Sequence, residues 1–250
     1  MRYSHPISQL RSSKLHEQLV THICGEIVSG SLPAGSLIPS EPELVATYGV
    51  SKTVVRETVQ ALAALGLVRI QHGKRSVVLA EADWNILSPQ LQEAYRAARL
   101  ARPLVQELYD VRLILEPQAA RWTAERRSSE HCRDLQRLLG SMKESSPDTP
   151  NGAADFLDCD RVFHLIIATA SANRVLRAVV RDVHELLTTS WLLSDLSRDD
   201  FSAIYDQHSL IAQAIIDRDG SRAESVMREH LEWAAAKDRT AERELDGAIS

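Results

Sequence analysis

Apolar positions along the first 30 residues follow a helical period. Leu15, Leu19, Ile23 and Ile27 recur every four residues, which predicts one buried face of a helix near residues 14–29. The turn-forming residues that come next end this helix.

A second, shorter helix follows with clear start and stop signals. Ser40 is a good N-cap, and Pro42 and Glu43 suit the first turn. Gly49 tolerates the left-handed conformation that ends many helices. We therefore predict a helix that ends near Tyr48.

A third helix and a β-hairpin come next. Ser51 caps the helix, Gly66 ends it, and apolar residues between them form a buried stripe of Val55, Val59, Leu62 and Leu65. The period then changes, and β-prone runs at 67–70 and 76–79 flank a basic glycine turn. This order predicts a helix-turn-helix followed by a hairpin wing.

The polar face of the third helix carries Lys52, Thr53, Arg56 and Gln60. Short polar and cationic side chains on a helix beside a basic turn suit the major groove of DNA. This pattern favours a nucleic-acid contact.

The rest of the chain is predicted to be helical. Residues 81–102 form a mixed junction that contains Trp84 and Pro89. Six helices follow, at 103–127, 129–144, 153–171, 173–194, 203–217 and 221–243. We predict a mostly α fold, with a winged helix-turn-helix at 1–80, a linker at 81–102 and an antiparallel all-α bundle at 103–245.

Composition narrows the class of protein. Apolar residues make up 44% of the 250 residues, enough for a real core. No run approaches the roughly 18 apolar residues that span a bilayer, and residues 1–30 lack a signal-peptide pattern. The three cysteines have no metal-finger or CxxC spacing. We expect a cytoplasmic protein that binds no membrane.

The net charge of −5 is unevenly divided. Residues 1–80 hold eight Lys/Arg and five Asp/Glu, or +3, so the remainder carries −8. An acidic body with a small basic module would limit nonspecific attraction to phosphate.

Four polar residues fall on faces of the bundle that should point inward. Asp160 and His164 are four apart and share a helix face. His208 and His230 lie about ten residues on either side of the break near Asp219, so antiparallel helices would bring them to similar height.

This set indicates a metal site. Three imidazoles and a carboxylate suit Zn²⁺, with Ni²⁺, Mn²⁺ or iron as alternatives. The four ligands could close a tetrahedral structural site or leave open positions in an octahedral one. The competing interpretation is that each histidine is separately a satisfied core residue.

Residues 15–79 closely resemble the winged helix-turn-helix of the GntR superfamily of bacterial transcription regulators. Six linked motifs carry this resemblance: Ile27-Val28-Ser29-Gly30, Pro33-Ala34-Gly35, Pro39-Ser40-Glu41, Val50-Ser51, Val55-Arg56-Glu57 and Leu65-Gly66-Leu67-Val68. The helical second half looks like the FCD ligand-binding domain of the FadR-type subfamily.

The resemblance implies which residues contact DNA. The start of the recognition helix would contact bases and phosphates through Ser51, Lys52, Thr53 and Arg56, and the wing tip would enter the minor groove through His72 and Gly73. Lys74 and Arg75 would add salt-dependent attraction to phosphate. Pro42 and Lys52 replace arginines that are usual in the family, so the operator sequence should differ from that of better-known relatives.

The resemblance also implies an effector site. Many FCD domains bind metal through Asp-x-x-x-His and two later histidines, matched here by Asp160, His164, His208 and His230. By the same resemblance, Arg112 would clamp the carboxylate of an effector, and Asn173 would also contact the effector.

Each effector residue has an alternative role. Arg112 could instead pair with Glu116 at i+4, and Asn173 could cap a helix. His184, on a neighbouring apolar face, could line the pocket or be a structural histidine.

Taken together, these patterns predict a repressor that binds an inverted-repeat DNA operator as a homodimer and responds to a small carboxylic acid. A sugar acid is favoured, because the junction and the first bundle helix resemble galactonate-type regulators; lactate-like hydroxy acids are the alternative. A metal-sensing regulator without organic effector and a metal-dependent hydrolase are the competing functions.

Overall fold

The computed structural model describes residues 7–71, 73–98, 100–145, 149, 151–188 and 197–249. The chain divides between Arg102 and Pro103 into two compact units, named here the winged unit and the helical unit. No helix in the described ranges is both long and apolar enough to cross a membrane.

Three helices and a small sheet form the first part of the winged unit. The helices are α1 (Ile7–Val28), α2 (Glu41–Tyr48) and α3 (Lys52–Ala64). Strands β1 (Val68–Arg69) and β2 (Val77–Val78) pair antiparallel, with Val68 opposite Val78. The predicted wing is therefore present, and Leu37 adds an isolated bridge to Val77.

The capping signals act as the sequence predicts. Ser40 and Glu43 form a capping box at the start of α2, and Gly49 ends it with φ 64°. The Ser51 hydroxyl accepts a hydrogen bond from the Val54 N–H at 3.2 Å. These contacts set the start of α3, the helix that carries the predicted DNA-contacting residues.

The buried face of α1 is narrower than predicted. Leu19, Ile23 and Ile27 are buried, but Leu15 is exposed. A spacing of four residues drifts by about 40° per step against a period of 3.6, so a residue twelve positions from Ile27 has rotated off the core face.

Residues 81–102, predicted as a junction, contain regular structure of their own. A 3-10 turn (Glu81–Asp83) leads to α4 (Pro89–Ala97), which packs against α1. The Ser88 hydroxyl caps α4, and Pro89 begins it. By its contacts this segment belongs to the winged unit.

The chain is tightly packed where α3 ends. Gly66 has φ +73°, and a Cβ placed there would lie 2.1 Å from the Asp83 carbonyl oxygen. The Asn85 N–H donates to the Leu65 carbonyl at 2.8 Å, and the Trp84 indole N–H donates to the Leu79 carbonyl at 3.2 Å. The segment after β2 is thus tied to the end of α3.

Six helices make up the described part of the helical unit: α5 (Ala101–Arg126), α6 (Ser129–Glu144), α7 (Gly152–Ala170), α8 (Arg174–Thr188), α9 (Arg198–Ile216) and α10 (Gly220–Ile249). The mostly helical fold is as predicted, although α9 begins five residues before its predicted start. The predicted end of the fourth bundle helix, at 189–194, lies outside the described residues.

The core of the helical unit surrounds α7. Phe163, Ile167 and Ala168 pack with buried residues of α5, α6, α9 and α10. The buried Thr123 hydroxyl donates to the Ile167 carbonyl at 2.6 Å, joining α5 to α7. This packing holds the inward face of α7, with His164 on it, in a defined position.

Candidate functional sites

The predicted DNA-contacting residues of α3 lie on its solvent face. Lys52, Thr53 and Arg56 are exposed, as are Gly73, Lys74 and Arg75 in the wing. Gly73 has φ 72°, a conformation that glycine adopts without strain. His72 lies outside the described residues.

Two of these cations pair with acids at the start of α2. The Arg56 Nε donates to Glu41 Oε2 at 3.1 Å, and Arg75 pairs with Glu43. Glu43 also accepts from the Ser40 backbone N–H and hydroxyl; these bonds, and then Arg75, lower the pKa of its carboxyl. Neither pair can be predicted from the sequence pattern, because partners 15 and 32 residues apart carry no local signal.

The four predicted metal ligands converge inside the helical unit. Asp160 and His164 come from α7, His208 from α9 and His230 from α10, and one ligand atom of each lies within 4.8 Å of the others. The three histidines are buried, and Asp160 is partly exposed. The sequence spacing around Asp219 therefore indicated the position of His208 and His230 correctly.

The same nitrogen of each imidazole faces the centre. His208 Nε2 lies 3.3 Å from His230 Nε2 and 3.4 Å from Asp160 Oδ1, and His164 Nε2 lies 3.8 Å from the same oxygen. The Nδ1 atoms point away: that of His230 lies 2.8 Å from Gln207 Oε1, and that of His208 lies 3.5 Å from Met142 Sδ. Three Nε2 lone pairs and one carboxylate can thus act together as ligands.

Electrostatics keep two of these imidazoles, those of His208 and His230, neutral. Burial lowers the pKa of His208 and His230 well below the usual range, and neighbouring imidazoles and the Arg112 guanidinium act in the same direction. Metal ions bind histidine in its neutral form. The donor set therefore fits a first-row divalent ion.

A second group of buried residues adjoins this cluster. The Arg112 Nε donates to Glu116 Oε1 at 2.7 Å, and one terminal nitrogen of Arg112 lies 3.3 Å from His164 Nε2. Glu116 Oε1 is also 3.0 Å from His184 Nε2. The alternative predicted for Arg112, an ion pair with Glu116, is present, and a terminal nitrogen of the same guanidinium contacts His164, one of the four cluster residues.

The Glu116 carboxylate stays ionised despite its burial. Burial opposes ionisation, but Arg112, His164 and His184 outweigh it and hold the pKa of Glu116 well below its usual range. Burial, followed by Arg112, lowers the pKa of His184 to about 4. Arg112, Glu116 and His184 form what we call the Glu116 network.

Asn173 lies just before α8. Its side-chain carbonyl accepts hydrogen bonds from the backbone N–H groups of Val175 and Leu176, both at 3.1 Å. The capping role that the sequence allowed is the one seen in the structure. Contact of Asn173 with an effector stays a prediction.

Comparison with known families decides the class of the protein. Residues 15–78 match the model of bacterial regulatory proteins of the gntR family, and residues 107–232 match the FCD domain. The chain belongs to the GntR family and carries an FCD domain. The FCD match includes the four-ligand cluster and the Glu116 network, and FCD domains hold metal-associated ligand sites.

Curated relatives agree with this assignment. The chain is 31% identical over 216 residues to the HTH-type transcriptional regulator LutR of Bacillus subtilis (strain 168), covering 82% of this chain and 92% of LutR. It is 24% identical over 214 residues to the galactonate operon transcriptional repressor of Escherichia coli (strain K12), covering 84% and 90% of the two chains.

A solved structure shows the same fold. The Listeria monocytogenes regulator Lar, described as controlling expression of the agr system, aligns with a TM-score of 0.61 at 14% identity over 90% of this chain and 96% of its own. The family match and the curated relatives, in turn, show that this chain is a DNA-binding transcription regulator. Its family and relatives are regulators and not enzymes, which rules out the hydrolase alternative.

Proposed function

We propose that this regulator responds to a small carboxylic acid bound at a divalent metal ion, which Asp160, His164, His208 and His230 would hold. The observation that carries the proposal is the convergence of three Nε2 atoms and a carboxylate beside a buried guanidinium. Zn²⁺ is favoured, because neutral imidazole and carboxylate are its common ligands; Ni²⁺, Mn²⁺ and iron also fit the donor set.

The proposed acid would be recognised by two positive charges. A bound ion supplies a Lewis acid that attracts carboxylate oxygens. Arg112 supplies the second charge, since its terminal nitrogen lies 3.3 Å from His164 Nε2 while its Nε is held by Glu116. A guanidinium fixed at one edge is well suited to orient a carboxylate.

A sugar acid is the first candidate effector. Support comes from the relative named as a repressor of a galactonate operon. The junction and the first bundle helix also resemble galactonate-type regulators in sequence. Lactate-like hydroxy acids are the second class to test.

The winged unit would read DNA. Ser51, Lys52, Thr53 and Arg56 would face the major groove, and residues 72–75 would lie along the minor groove and the phosphates. Relatives that are named repressors support repression. Two copies of the chain, joined through the helical unit, would then occupy an inverted repeat.

Effector binding must favour one arrangement of the DNA-contacting units over another in order to regulate. Residues 81–102 would transmit this change, since they follow the wing directly. The place of action would be the cytoplasm, where bacterial DNA lies.

A first experiment separates the two sites. Purified protein is assayed for bound metal, and gel shifts are run with DNA from upstream of its own gene, using Arg56→Ala and His208→Ala variants. We expect Arg56→Ala to lose DNA binding and keep the metal, and His208→Ala to lose the metal and keep DNA binding.

The competing function makes a different prediction. If metal alone changes the DNA affinity of the wild type and no carboxylic acid changes it further, the protein is a metal sensor without organic effector. If His208→Ala retains the full metal content, the proposed metal site is wrong.

A further inference from the structure

We infer that Glu116 is a positioning residue that orients His164 toward the metal ion; this inference rests on the proposed metal site. Glu116 Oε2 is in direct contact with His164 Nδ1. Neither atom has another hydrogen-bond partner in the described part of the chain. Each of these buried atoms must therefore satisfy the other.

This contact determines the tautomer of His164. A carboxylate oxygen can only accept, so Nδ1 carries the hydrogen and Nε2 keeps its lone pair. Nε2 is the nitrogen that faces Asp160 Oδ1. Carboxylates that accept from the outer nitrogen of a ligand histidine fix its ring and raise its basicity.

Glu116 is itself held from two sides. Its Oε1 accepts from Arg112 Nε, one turn earlier on α5, and contacts His184 Nε2 of α8 at 3.0 Å. Oε1 therefore contacts Arg112 and His184, and Oε2 contacts His164. The carboxylate joins three helices and has little freedom to rotate.

The alternative is that Glu116, His164 and His184 hold a second metal ion, since their ligand atoms also lie within 4.8 Å of one another. One contact and one chemical argument oppose a second ion at this position. Arg112 already supplies the cation that Glu116 needs, at 2.7 Å. His164 Nδ1 would also have to give up its hydrogen to bind an ion there.

The test is a titration of the full-length, metal-stripped protein with Co²⁺, followed by visible absorption. Glu116→Gln keeps the shape of the side chain and removes its charge. We expect Co²⁺ affinity to fall about 10–100-fold, with one ion bound per chain and a changed absorption spectrum at saturation.

The matched control is Asp200→Asn, which removes another buried carboxylate of the helical unit. Asp200 contacts Lys237 and Ser197 instead of the cluster. We expect its Co²⁺ affinity and spectrum to match the wild type, which separates positioning from general loss of stability.

Other outcomes would overturn the inference in distinct ways. If Glu116→Gln binds Co²⁺ within twofold of the wild type with an unchanged spectrum, Glu116 does not position His164 and the metal site stands. If the wild type binds two ions and Glu116→Gln binds one, Glu116 is itself a ligand. If the wild type binds none, the proposed metal site fails, and the inference fails with it.

A second test uses the wild-type protein and so does not depend on whether a variant folds. Nitrogen-15 NMR of the histidine-labelled, Zn²⁺-loaded protein should show His164 bound through Nε2, with hydrogen on Nδ1. Coordination of His164 through Nδ1 would contradict the inference.

Discussion

Two arginine–glutamate pairs, one in each unit, show how burial changes the role of the same chemistry. Arg56 and Glu41 in the winged unit leave 67% and 42% of their side chains exposed. Arg112 and Glu116 in the helical unit leave 6% and 2% exposed. Water screens the first pair, so it is worth less than about 1 kcal/mol. The second pair has no such screening.

This difference in exposure determines how easily each arginine can separate from its glutamate. Arg56 can leave Glu41 at little cost, as its proposed contact with DNA requires. Arg112 cannot leave Glu116 without stranding a buried charge, so it provides a stationary positive group beside the four-ligand cluster. The exposed pair can therefore separate easily, whereas the buried pair keeps a fixed geometry.

The largest expected effect follows from breaking the buried pair. Arg112→Met would leave the Glu116 carboxylate uncompensated, and we expect a loss of about 3–5 kcal/mol in the free energy of unfolding. The matched variant Arg56→Met should lose less than about 1 kcal/mol. Urea denaturation followed by circular dichroism measures both, and equal losses would contradict the contrast.

Backbone packing should dominate the stability of the winged unit. Gly66→Ala would place a Cβ 2.1 Å from the Asp83 carbonyl oxygen at positive φ, and we expect it to cost about 2–4 kcal/mol. Gly30→Ala, also at positive φ but with open space around it, should cost about 1–2 kcal/mol. Hydrogen exchange of α3 amides reports both; similar protection in the two variants would argue against close packing at Gly66.

The buried histidines should make the metal-free helical unit sensitive to acid. Burial lowers the pKa of His184 to about 4, whereas its ordinary pKa in the unfolded chain is about 6.5. Between these two pH values the unfolded chain binds a proton at His184 and the folded chain does not. The contribution of His184 to the free energy of unfolding is therefore complete above about pH 6.5 and decreases as the pH falls from there toward 4.

For His184 the loss should reach about 2 kcal/mol between pH 6.5 and 5. Urea denaturation at several pH values measures it, and His184→Gln should flatten the dependence. His208 and His230, whose pKa values are lowered too, should leave a residual slope. A wild type whose stability does not change across this range would be inconsistent with burial of neutral imidazoles.

The smallest effect is expected at the exposed pair. Glu41→Gln removes the acid that Arg56 contacts at 3.1 Å, and a free guanidinium should bind DNA about two- to fivefold more tightly at low salt. Fluorescence anisotropy with operator DNA measures the change. Weaker binding would show that Glu41 aligns Arg56 for DNA and does not compete with it.

Local patterns predicted much of this molecule, and contacts between distant helices account for what they missed. Helix spacing placed Asp160 and His164 on one face, and the break at Asp219 placed His208 opposite His230. The cap signals at Ser40 and Ser51 set α2 and α3. The pair Ser88-Pro89 carried a similar signal, but the short α4 that it begins was not predicted.

The role of Glu116 had no local signal beyond its i+4 relation to Arg112. Its contacts with His164 and His184 join residues 48 and 68 positions away, and they depend on how α5, α7 and α8 pack. At Leu15 the local pattern predicted too much, because four-residue spacing alone overstated the width of the buried face of α1.

The proposed function requires that an acid bound at the buried cluster controls DNA binding by the exposed face of α3. The most direct test measures operator affinity of the metal-loaded protein by fluorescence anisotropy, with and without galactonate, a uronic acid or lactate. We predict that at least one acid changes the affinity of the wild type about tenfold or more and leaves His208→Ala unchanged. An equal response in His208→Ala would contradict the claim.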